Sequence, residues 1–244
     1  MYYLSSKMKS IYLFSPWTVR SDAKLLIPGI ASFIADVLIF PRRSIYAAAL
    51  RGLALSPFMR RPYRLRFVMK GVTFENVGEV FLDTDVMVRE GVLVRGELVM
   101  EEQSHLGAGC IVHGPVRIGA RTTLNYRCEA YAETVIGANC SIGPGVKFLS
   151  MAHELGSEDF RAGNFCSNPI RVGDGAWIGA YSVVLGGVTI GKGAVVGAGS
   201  LVTKDVPDNH LAMGHPAEIL RKLGPGYGGG PPGSPMRPDK IRWA

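Results

Sequence analysis

Apolar residues recur at every sixth position along two long runs of the chain. The apolar positions are Leu106, Val112, Ile118, Leu124, Ala130, Ile136, Ile142, Phe148, Val172, Ile178, Val184, Ile190, Val196 and Val202. Four residues after each of them stands a cysteine, valine, threonine, alanine or serine. Eight of the fourteen apolar positions are followed directly by glycine, which indicates frequent tight turns. The pattern therefore predicts many short, similar units.

A period of six fits neither an α-helix, which repeats every 3.6 residues, nor a simple hairpin meander. It predicts a solenoid of short parallel strands, with the apolar residue pointing inward and the small residue at a corner. Three hexads would make one triangular coil of about 18 residues. The pattern continues upstream through Leu82, Val88, Val94 and Met100. We therefore predict a mainly β fold, a parallel β-helix, over residues 71–223.

The repeat is interrupted once, by the segment SMAHELGSEDFRAGNFCSNP at residues 150–169. His153 lies near the start of this segment, and residues 154–171 are expected to form a protruding loop. Long loops within compact folds are usually functional or disordered. Because imidazole exchanges a proton near neutral pH, a histidine beside such a loop suits general base catalysis.

Both ends of the predicted solenoid need a cover, because open strand edges invite aggregation. Residues 22–67 have a helical pattern, with Ile45, Ala48, Ala49 and Leu53 on one apolar face. We therefore predict that residues 1–70 form a basic N-terminal helical cap. Residues 224–244 are rich in glycine and proline and are expected to form a flexible tail.

The net charge of +7 is unevenly distributed, because no acidic residue occurs between Asp36 and Glu75. The basic residues in that interval are Arg42, Arg43, Arg51, Arg60, Arg61, Arg64, Arg66 and Lys70. Such a stretch indicates an anionic membrane, nucleic acid or a phosphorylated ligand, or else a solvated helix face. In the absence of a base-stacking motif we expect peripheral membrane contact and no nucleic-acid partner.

Two further features bear on the compartment. The most apolar run, residues 25–40, is shorter than the ~20 residues needed to span a bilayer. The cysteines are Cys110, Cys128, Cys140 and Cys166, and their spacing matches no zinc template. We interpret them as small buried residues in a reducing compartment, expect no metal, and predict a cytoplasmic protein.

The last coils resemble a known family. The segment PIRVGDGAWIGAYSVVLGGVTIGKGAVVGAGSLVTKDVPDNHLAMGHPAEILRKL is similar to the C-terminal coils of hexapeptide-repeat acyltransferases. Within that family it resembles most the maltose and galactoside acetyltransferases and the polysaccharide O-acetyltransferases. The resemblance implies that the β-helix is left-handed. Flat sides that pack around a threefold axis also predict a homotrimer, in which neighbouring chains share each active site.

The same resemblance implies acetyl-CoA as the acyl donor and His153 as the general base. The residues implied for donor binding are Gly179, Ala180, Ala198, Thr203, Lys204 and Arg221. Asn125 is implied in the acceptor pocket, and Trp177 is expected to border the thiol end of the cleft. The orienting partner of His153 is left open between Glu154, Glu133 and a backbone carbonyl. Some relatives carry Asp at the position of Glu154.

These features together predict an acetyl-CoA-dependent O-acetyltransferase that acts on a hydroxyl of a sugar, polysaccharide or glycolipid intermediate. The alternatives are an amino-sugar N-acetyltransferase on the same fold and a catalytically silent β-helix scaffold. A γ-type carbonic anhydrase would need three converging zinc ligands. The order of His105, His113 and His153 along the chain is opposite to the one that such enzymes use.

Overall fold

The computed structural model describes residues 45–59 and 66–224. In this part of the chain, helix α1 spans Ile45–Leu55, and short 3-10 helices span Ser56–Phe58 and Val77–Glu79. All other regular elements are short strands, numbered here β1 to β24 in chain order. The predicted C-terminal tail beyond residue 224 and most of the predicted N-terminal cap lie outside the described residues.

Three sheets of parallel strands form the sides of a triangular coil, and each successive coil adds one strand to each sheet. The first sheet contains β1 (Arg66–Val68), β4 (Val86–Val88), β7 (His105–Leu106), β10 (Thr123–Leu124), β13 (Ser141–Ile142), β18 (Trp177–Ile178), β21 (Val195–Val196), β23 (His210–Gly214) and the antiparallel β24 (Ala217–Lys222). The second sheet contains β2 (Thr73–Phe74), β5 (Leu93–Arg95), β8 (Ile111–His113), β11 (Glu129–Ala130), β14 (Lys147–Leu149), β19 (Val183–Leu185) and β22 (Leu201–Val202). The third sheet contains β3 (Val80–Leu82), β6 (Leu98–Met100), β9 (Val116–Ile118), β12 (Thr134–Ile136), β17 (Ile170–Val172) and β20 (Thr189–Ile190). The prediction of a mainly β fold, a parallel β-helix of hexapeptide repeats, is confirmed.

The strand register shows the predicted coil length directly. Leu124 pairs with Leu106 on one side and Ile142 on the other, so partners lie 18 residues apart. Ile142 then pairs with Ile178, which is 36 residues on, or twice 18. The interruption is therefore an insertion with the length of one coil, and it leaves the register of the stack unchanged.

Burial follows the hexad pattern closely. All fourteen apolar positions are buried, as are the four upstream positions at Leu82, Val88, Val94 and Met100. Of the residues four places further on, thirteen are buried and Ala152 is exposed. Ala152 departs from the prediction because the chain leaves the coil after the buried Ser150, so Ala152 stands on a projecting strand. The continuous apolar column forms the core of the molecule.

The interruption forms an antiparallel hairpin, in which β15 (Met151–Leu155) pairs with β16 (Ala162–Ser167). The hairpin already begins at Met151, so His153 lies within its first strand instead of before a loop. It leaves the coil between the second sheet and the third, after β14 and before β17. The Ser167 hydroxyl donates a 2.8 Å hydrogen bond to Glu133 Oε2, which fixes the base of the hairpin to the coil below.

The described helix ends earlier than the predicted helical segment and buries only part of the predicted apolar face, of which Ala48 is buried. Helix α1 ends at Leu55, and residue 67 already belongs to β1, ahead of the predicted domain boundary at residue 71. Leu53 is exposed, whereas Arg51 and Gly52 are buried. A Cβ atom on Gly52 would overlap the backbone carbonyl of Arg66, so glycine lets the helix approach the coil closely. No helix in the described ranges has the length and hydropathy to cross a membrane.

Two of the eight basic residues predicted to face an anionic partner are instead buried. Arg66 is fully buried, and its Nε donates to the carbonyl oxygen of Leu82 at 2.6 Å. Arg51 Nε donates to the carbonyl oxygen of Val68 at 2.8 Å. These side chains cap backbone carbonyls at the N-terminal end of the coil. Lys70 is exposed, and the other five basic residues lie outside the described residues.

The cysteines are partly as predicted. Cys110, Cys128 and Cys140 are buried free thiols, whereas Cys166 is half-exposed on β16. The Cys110 thiol donates to the carbonyl oxygen of Asn125 at 3.0 Å, and Cys128 donates in the same way to Gly143 at 3.2 Å. The Cys128 thiol and burial raise the pKa of Cys110, and burial raises that of Cys140. The hydrogen bond with Cys110 lowers the pKa of Cys128. Buried thiols with a raised pKa are unreactive, so Cys110 and Cys140 serve to pack the corners.

Candidate active site

The turns between strands form corners of the coil, and the candidate residues occupy two of these corners and one face. The first corner joins the first sheet to the second and includes residues 107–110, 125–128, 179–182 and 197–200. The second corner joins the second sheet to the third and includes residues 150–169 and 203–205. Within one chain, the second sheet separates these two corners.

His153 is held in the hairpin of the second corner by a backbone hydrogen bond. Its Nδ1 atom lies 3.0 Å from the carbonyl oxygen of Gly163, across the hairpin. A carbonyl oxygen only accepts, so Nδ1 carries the proton, and Nε2 of the neutral ring presents a free electron pair. The side chain is exposed. His153 therefore has the tautomer and the access that a general base needs.

Two of the three candidate orienting partners are engaged elsewhere. Glu154 Oε2 accepts a hydrogen bond from Asn164 Nδ2 at 3.4 Å, and Glu133 accepts one from Ser167. The backbone carbonyl alternative is the one that the structure contains. Its source could not be identified from the sequence, because it depends on how the two hairpin strands pair.

Phe165 is a neighbour of His153 that the sequence analysis did not identify. The two residues lie opposite each other in the hairpin register. Their rings are 5.9 Å apart between centroids and stand at 81°, in an edge-to-face arrangement. Phe165 is 58% exposed, so its ring forms an open apolar wall beside the imidazole. A hairpin prediction with the correct register would have revealed this pair.

The first corner presents the small residues expected for donor binding, with one exception. Ala198 is exposed and Ala180 is half-buried, on consecutive coils. A Cβ atom on Gly199 would meet no atom within 4 Å, so the surface there is open. Gly179, in contrast, is buried, and a Cβ atom on it would overlap the backbone nitrogen of Ala198. Coil packing explains Gly179, and the flat wall consists of the two alanines and Gly199.

Thr203 and Lys204 share the second corner with His153, two strands further along the second sheet. Both are exposed and directly follow β22. The successive strands β14, β19 and β22 place them about 10 Å along the stack from the point where the hairpin leaves. Arg221 lies elsewhere, exposed on β24 opposite Leu211. One chain therefore brings together His153, Thr203 and Lys204, but not Arg221.

Asn125 and Trp177 lie on the side of the molecule that carries the two alanines. Trp177 is 41% exposed on the first sheet, directly below Val195. Asn125 Nδ2 donates to the carbonyl oxygen of Ile142 at 2.8 Å, so the side-chain nitrogen of Asn125 takes part in the hydrogen bonding of the coil. Neither residue shares a corner with His153 of the same chain.

The histidines of one chain do not converge. His105 lies on the first sheet, and His113 is at the end of β8 in the second sheet, where its ring stacks on Tyr131 with centroids 4.6 Å apart. Burial and the charge of Arg95 lower the pKa of His113. Within residues 45–59 and 66–224, no three histidine, cysteine or acidic side chains form a group that could hold a metal ion.

Comparisons with known sequences agree with this architecture. The family described as bacterial transferase hexapeptide (six repeats) matches residues 169–204. A galactoside O-acetyltransferase of Escherichia coli is 33% identical over 139 residues, which cover 53% of this chain and 68% of that protein. A Schizosaccharomyces pombe protein named as a candidate acetyltransferase is 42% identical over 110 residues. That match covers 44% of this chain and only about half, 53%, of the relative.

A solved structure shows a similar chain. It is a hexapeptide-repeat-containing acetyltransferase of Vibrio cholerae complexed with acetyl coenzyme A. It is 24% identical to this chain, and the match covers 81% of this chain and 86% of that one, with a TM-score of 0.47.

Proposed function

The chain belongs to the hexapeptide-repeat acetyltransferases, and from this premise we propose that it transfers an acetyl group from acetyl-CoA to an acceptor hydroxyl. The proposed acceptor is a sugar, a polysaccharide or a glycolipid intermediate, in keeping with the galactoside O-acetyltransferase among its relatives. The observation that carries the proposal is the exposed His153, with Nδ1 committed to Gly163 and Nε2 available.

His153 acts as the base. Acetyl-CoA supplies the acetyl group as a thioester when it is bound. Nε2 of His153 removes the proton from the acceptor hydroxyl as that oxygen bonds to the acyl carbon. The hydrogen bond to Gly163 stabilises the resulting imidazolium, whose Nε2 proton then goes to the departing sulfur. Phe165 stands edge-to-face with the imidazole and forms an apolar wall on one side of it.

The donor residues present two complementary surfaces. Ala180, Ala198 and Gly199 give a flat wall at the first corner, on which a thin pantetheine arm fits. Lys204 at the second corner offers a positive charge for phosphate, and Thr203 beside it offers a hydroxyl. Because the two surfaces lie on different corners of one chain, a complete donor site requires the first corner of one protomer to face the second corner of another.

We therefore propose a homotrimer in which neighbouring chains share each active site. The hairpin supports this arrangement, because it exposes Leu155, Phe160 and Phe165, at 85%, 55% and 58%. Three large apolar side chains on one projecting element indicate a surface that a partner covers. Cyclic closure around a threefold axis then gives three identical sites.

A thiol-release assay with acetyl-CoA tests the function. It compares simple galactosides, which offer hydroxyls, with the corresponding 2-amino sugars, which offer an amine. The O-acetyltransferase proposal requires acceptor-dependent release with the hydroxyl series. Preference for the amines would favour an N-acetyltransferase, and binding of acetyl-CoA without any release would indicate a silent scaffold. We place this activity in the cytoplasm, where acetyl-CoA is available. Peripheral membrane contact stays a prediction from the basic residues outside the described ranges and Lys70.

A further inference from the structure

A small groove lies on the first sheet, on the same side of the molecule as Trp177 and the two alanines. Its volume is about 170 Å³, and its lining includes Met87, Arg89, His105, Thr123, Asn125 and Tyr126. This space would hold about five or six waters at liquid density, which is comparable with one sugar ring. The groove lies below the candidate donor residues and is not accounted for by donor binding.

The corner beside the groove is tightly packed at Gly107. Arg89, Gly107 and Asn125 occupy equivalent turns on three successive coils, since the amides of Arg89 and Gly107 donate to Leu106 and Leu124 respectively. A Cβ atom on Gly107 would lie 2.5 Å from the backbone carbon of Asn125, so the glycine is required for packing. The side chains of Arg89 and Asn125 both line the groove.

Arg89 and Asn125 retain hydrogen-bonding capacity within the groove. Arg89 Nε donates to Glu90 Oε2 at 3.2 Å in an ion pair, while its two terminal amino groups bond to no residue in the described ranges. Asn125 uses Nδ2 for the carbonyl of Ile142, which leaves its Oδ1 as an acceptor. The groove therefore offers the terminal amino groups of Arg89 as donors and Asn125 Oδ1 as an acceptor.

His105 and Tyr126 complete the polar lining. Both are exposed, Tyr126 by 51%, and the imidazole of His105 makes no hydrogen bond to a described residue. Tyr126 offers a ring face and a hydroxyl, a combination that suits a sugar with an apolar face and polar edges. None of the described residues that line the groove is acidic, and Glu90, which pairs with Arg89 Nε, is not part of this lining.

We propose that this groove binds an acidic sugar ring of the acceptor, with the carboxylate of the sugar on the terminal amino groups of Arg89. A guanidinium group pairs with a carboxylate through two parallel N–H···O bonds, a geometry that also gives specificity. Asn125 and His105 bond the ring hydroxyls, and the ring lies against Tyr126. For the reaction itself, this inference rests on the proposed function; the binding does not depend on it.

The position of the groove also indicates the size of the acceptor. Along the first sheet, Thr123 pairs with Ser141, and Ser141 pairs with Trp177. Two strand spacings separate the groove from Trp177, or about 10 Å. Ser141 is exposed between them, so the path is open. A single ring cannot occupy the groove and also reach the thiol end of the cleft, so the acceptor is an acidic oligosaccharide or polysaccharide.

Binding of two matched probes tests the proposal without requiring turnover. Calorimetry would compare methyl β-galactosiduronate with methyl β-galactoside, which differ by a carboxylate in place of a hydroxymethyl group. We expect the wild-type protein to bind the acid about tenfold more tightly, and Arg89→Gln to remove this difference. Arg89→Lys keeps the positive charge but lacks the two parallel N–H donors of the guanidinium group. This variant should retain part of the difference in affinity between the two probes. Arg117→Gln, on the third sheet, should match wild type.

Equal affinity of the wild type for both probes, or no binding of either, would overturn the proposal. An advantage of the acid that survives in folded Arg89→Gln would overturn it as well, and melting temperatures of the variants establish folding. Thiol release separates this question from the function. If the protein acetylates galactosides but fails the binding test, only the groove proposal is refuted. If it binds the acid but acetylates no acceptor, the proposed activity is refuted and the groove proposal stands.

Discussion

The Nδ1 atom of His153 lies 3.0 Å from the backbone carbonyl oxygen of Gly163, on the opposite strand of the hairpin. A backbone acceptor fixes the imidazole tautomer without a second ionisable side chain. The base is therefore oriented by the pairing of β15 with β16, and the hairpin is part of the catalytic apparatus in the proposed mechanism.

Replacing Glu154 should have little effect on turnover. Because the Gly163 carbonyl already orients His153, Glu154→Gln should keep kcat within about threefold of wild type, well short of the ~10²–10⁴ that losing a general base costs. Glu133→Gln serves as the matched control at the base of the hairpin. Steady-state thiol release measures kcat of both variants. A hundredfold loss of kcat in Glu154→Gln alone would mean that Glu154 and His153 form a carboxylate–histidine dyad.

Lys204 and Arg221 should contribute to the affinity for CoA. Exposed charge pairs are weak, so Lys204→Ala and Arg221→Ala should each raise the Kd for CoA by about threefold to tenfold. Calorimetry with CoA and 3′-dephospho-CoA would show which residue meets the 3′-phosphate, because its variant should lose the difference between the two ligands. Lys192→Ala, at another corner, is the control. If both variants bind both ligands as wild type does, the phosphates lie elsewhere.

Mixed trimers should recover activity when the two lesions lie on different corners. His153→Ala removes the second-corner base, and Ala198→Arg blocks the first-corner wall. Random mixing should leave about a quarter of the sites with both surfaces intact. A mixture of His153→Ala and Lys204→Ala distinguishes two arrangements. If the two residues of one site came from different chains, about a quarter of the sites would again be intact. Because they share one corner of one chain, we predict no recovery for this mixture. Activity of co-refolded material decides both, and a monomer in sedimentation would contradict the shared site.

Gly52→Ala should lower the thermal stability. Alanine favours a helix by ~1 kcal/mol over glycine, but the new Cβ would overlap the rigid backbone carbonyl of Arg66. Overpacking of this kind costs ~1–3 kcal/mol, so we expect a net fall in Tm of a few degrees. Gly78→Ala is the control, because its Cβ would meet only the Asn76 side chain, at 3.4 Å. A Tm at or above wild type for Gly52→Ala would mean that the helix does not approach the coil so closely.

The coil could be predicted from the sequence because one apolar residue marks each six-residue repeat. Leu106, Leu124 and Ile142 stack directly, and each is buried because an interior column tolerates nothing polar at those positions. The helix was harder to predict. Its buried face includes Ala48, which the apolar pattern marks, and Arg51 and Gly52, which it does not mark, because docking there depends on a close backbone approach and on carbonyl capping by arginine.

The candidate site was predictable in its residue types but not in its arrangement. His153 stood out because it lies in the interruption, yet Gly163 and Phe165 became its neighbours through antiparallel pairing that leaves no periodic signal. The common corner of His153 and Lys204 follows from counting hexads in threes and allowing for the insertion. The pairing of that corner with a neighbouring chain depends on packing between copies, which a single repeat does not encode.

The most direct test of the central claim is single-turnover acetyl transfer by His153→Ala, with acetyl-CoA affinity measured on the same protein. Because the imidazole acts on the acceptor proton, we predict a loss of ~10²–10⁴ in the transfer rate. The affinity for acetyl-CoA should stay within about twofold of wild type, because His153 contributes little to donor binding in this account. His113→Gln, on the second sheet, is the matched control. Transfer by His153→Ala at more than about a third of the wild-type rate would contradict the assignment of the base.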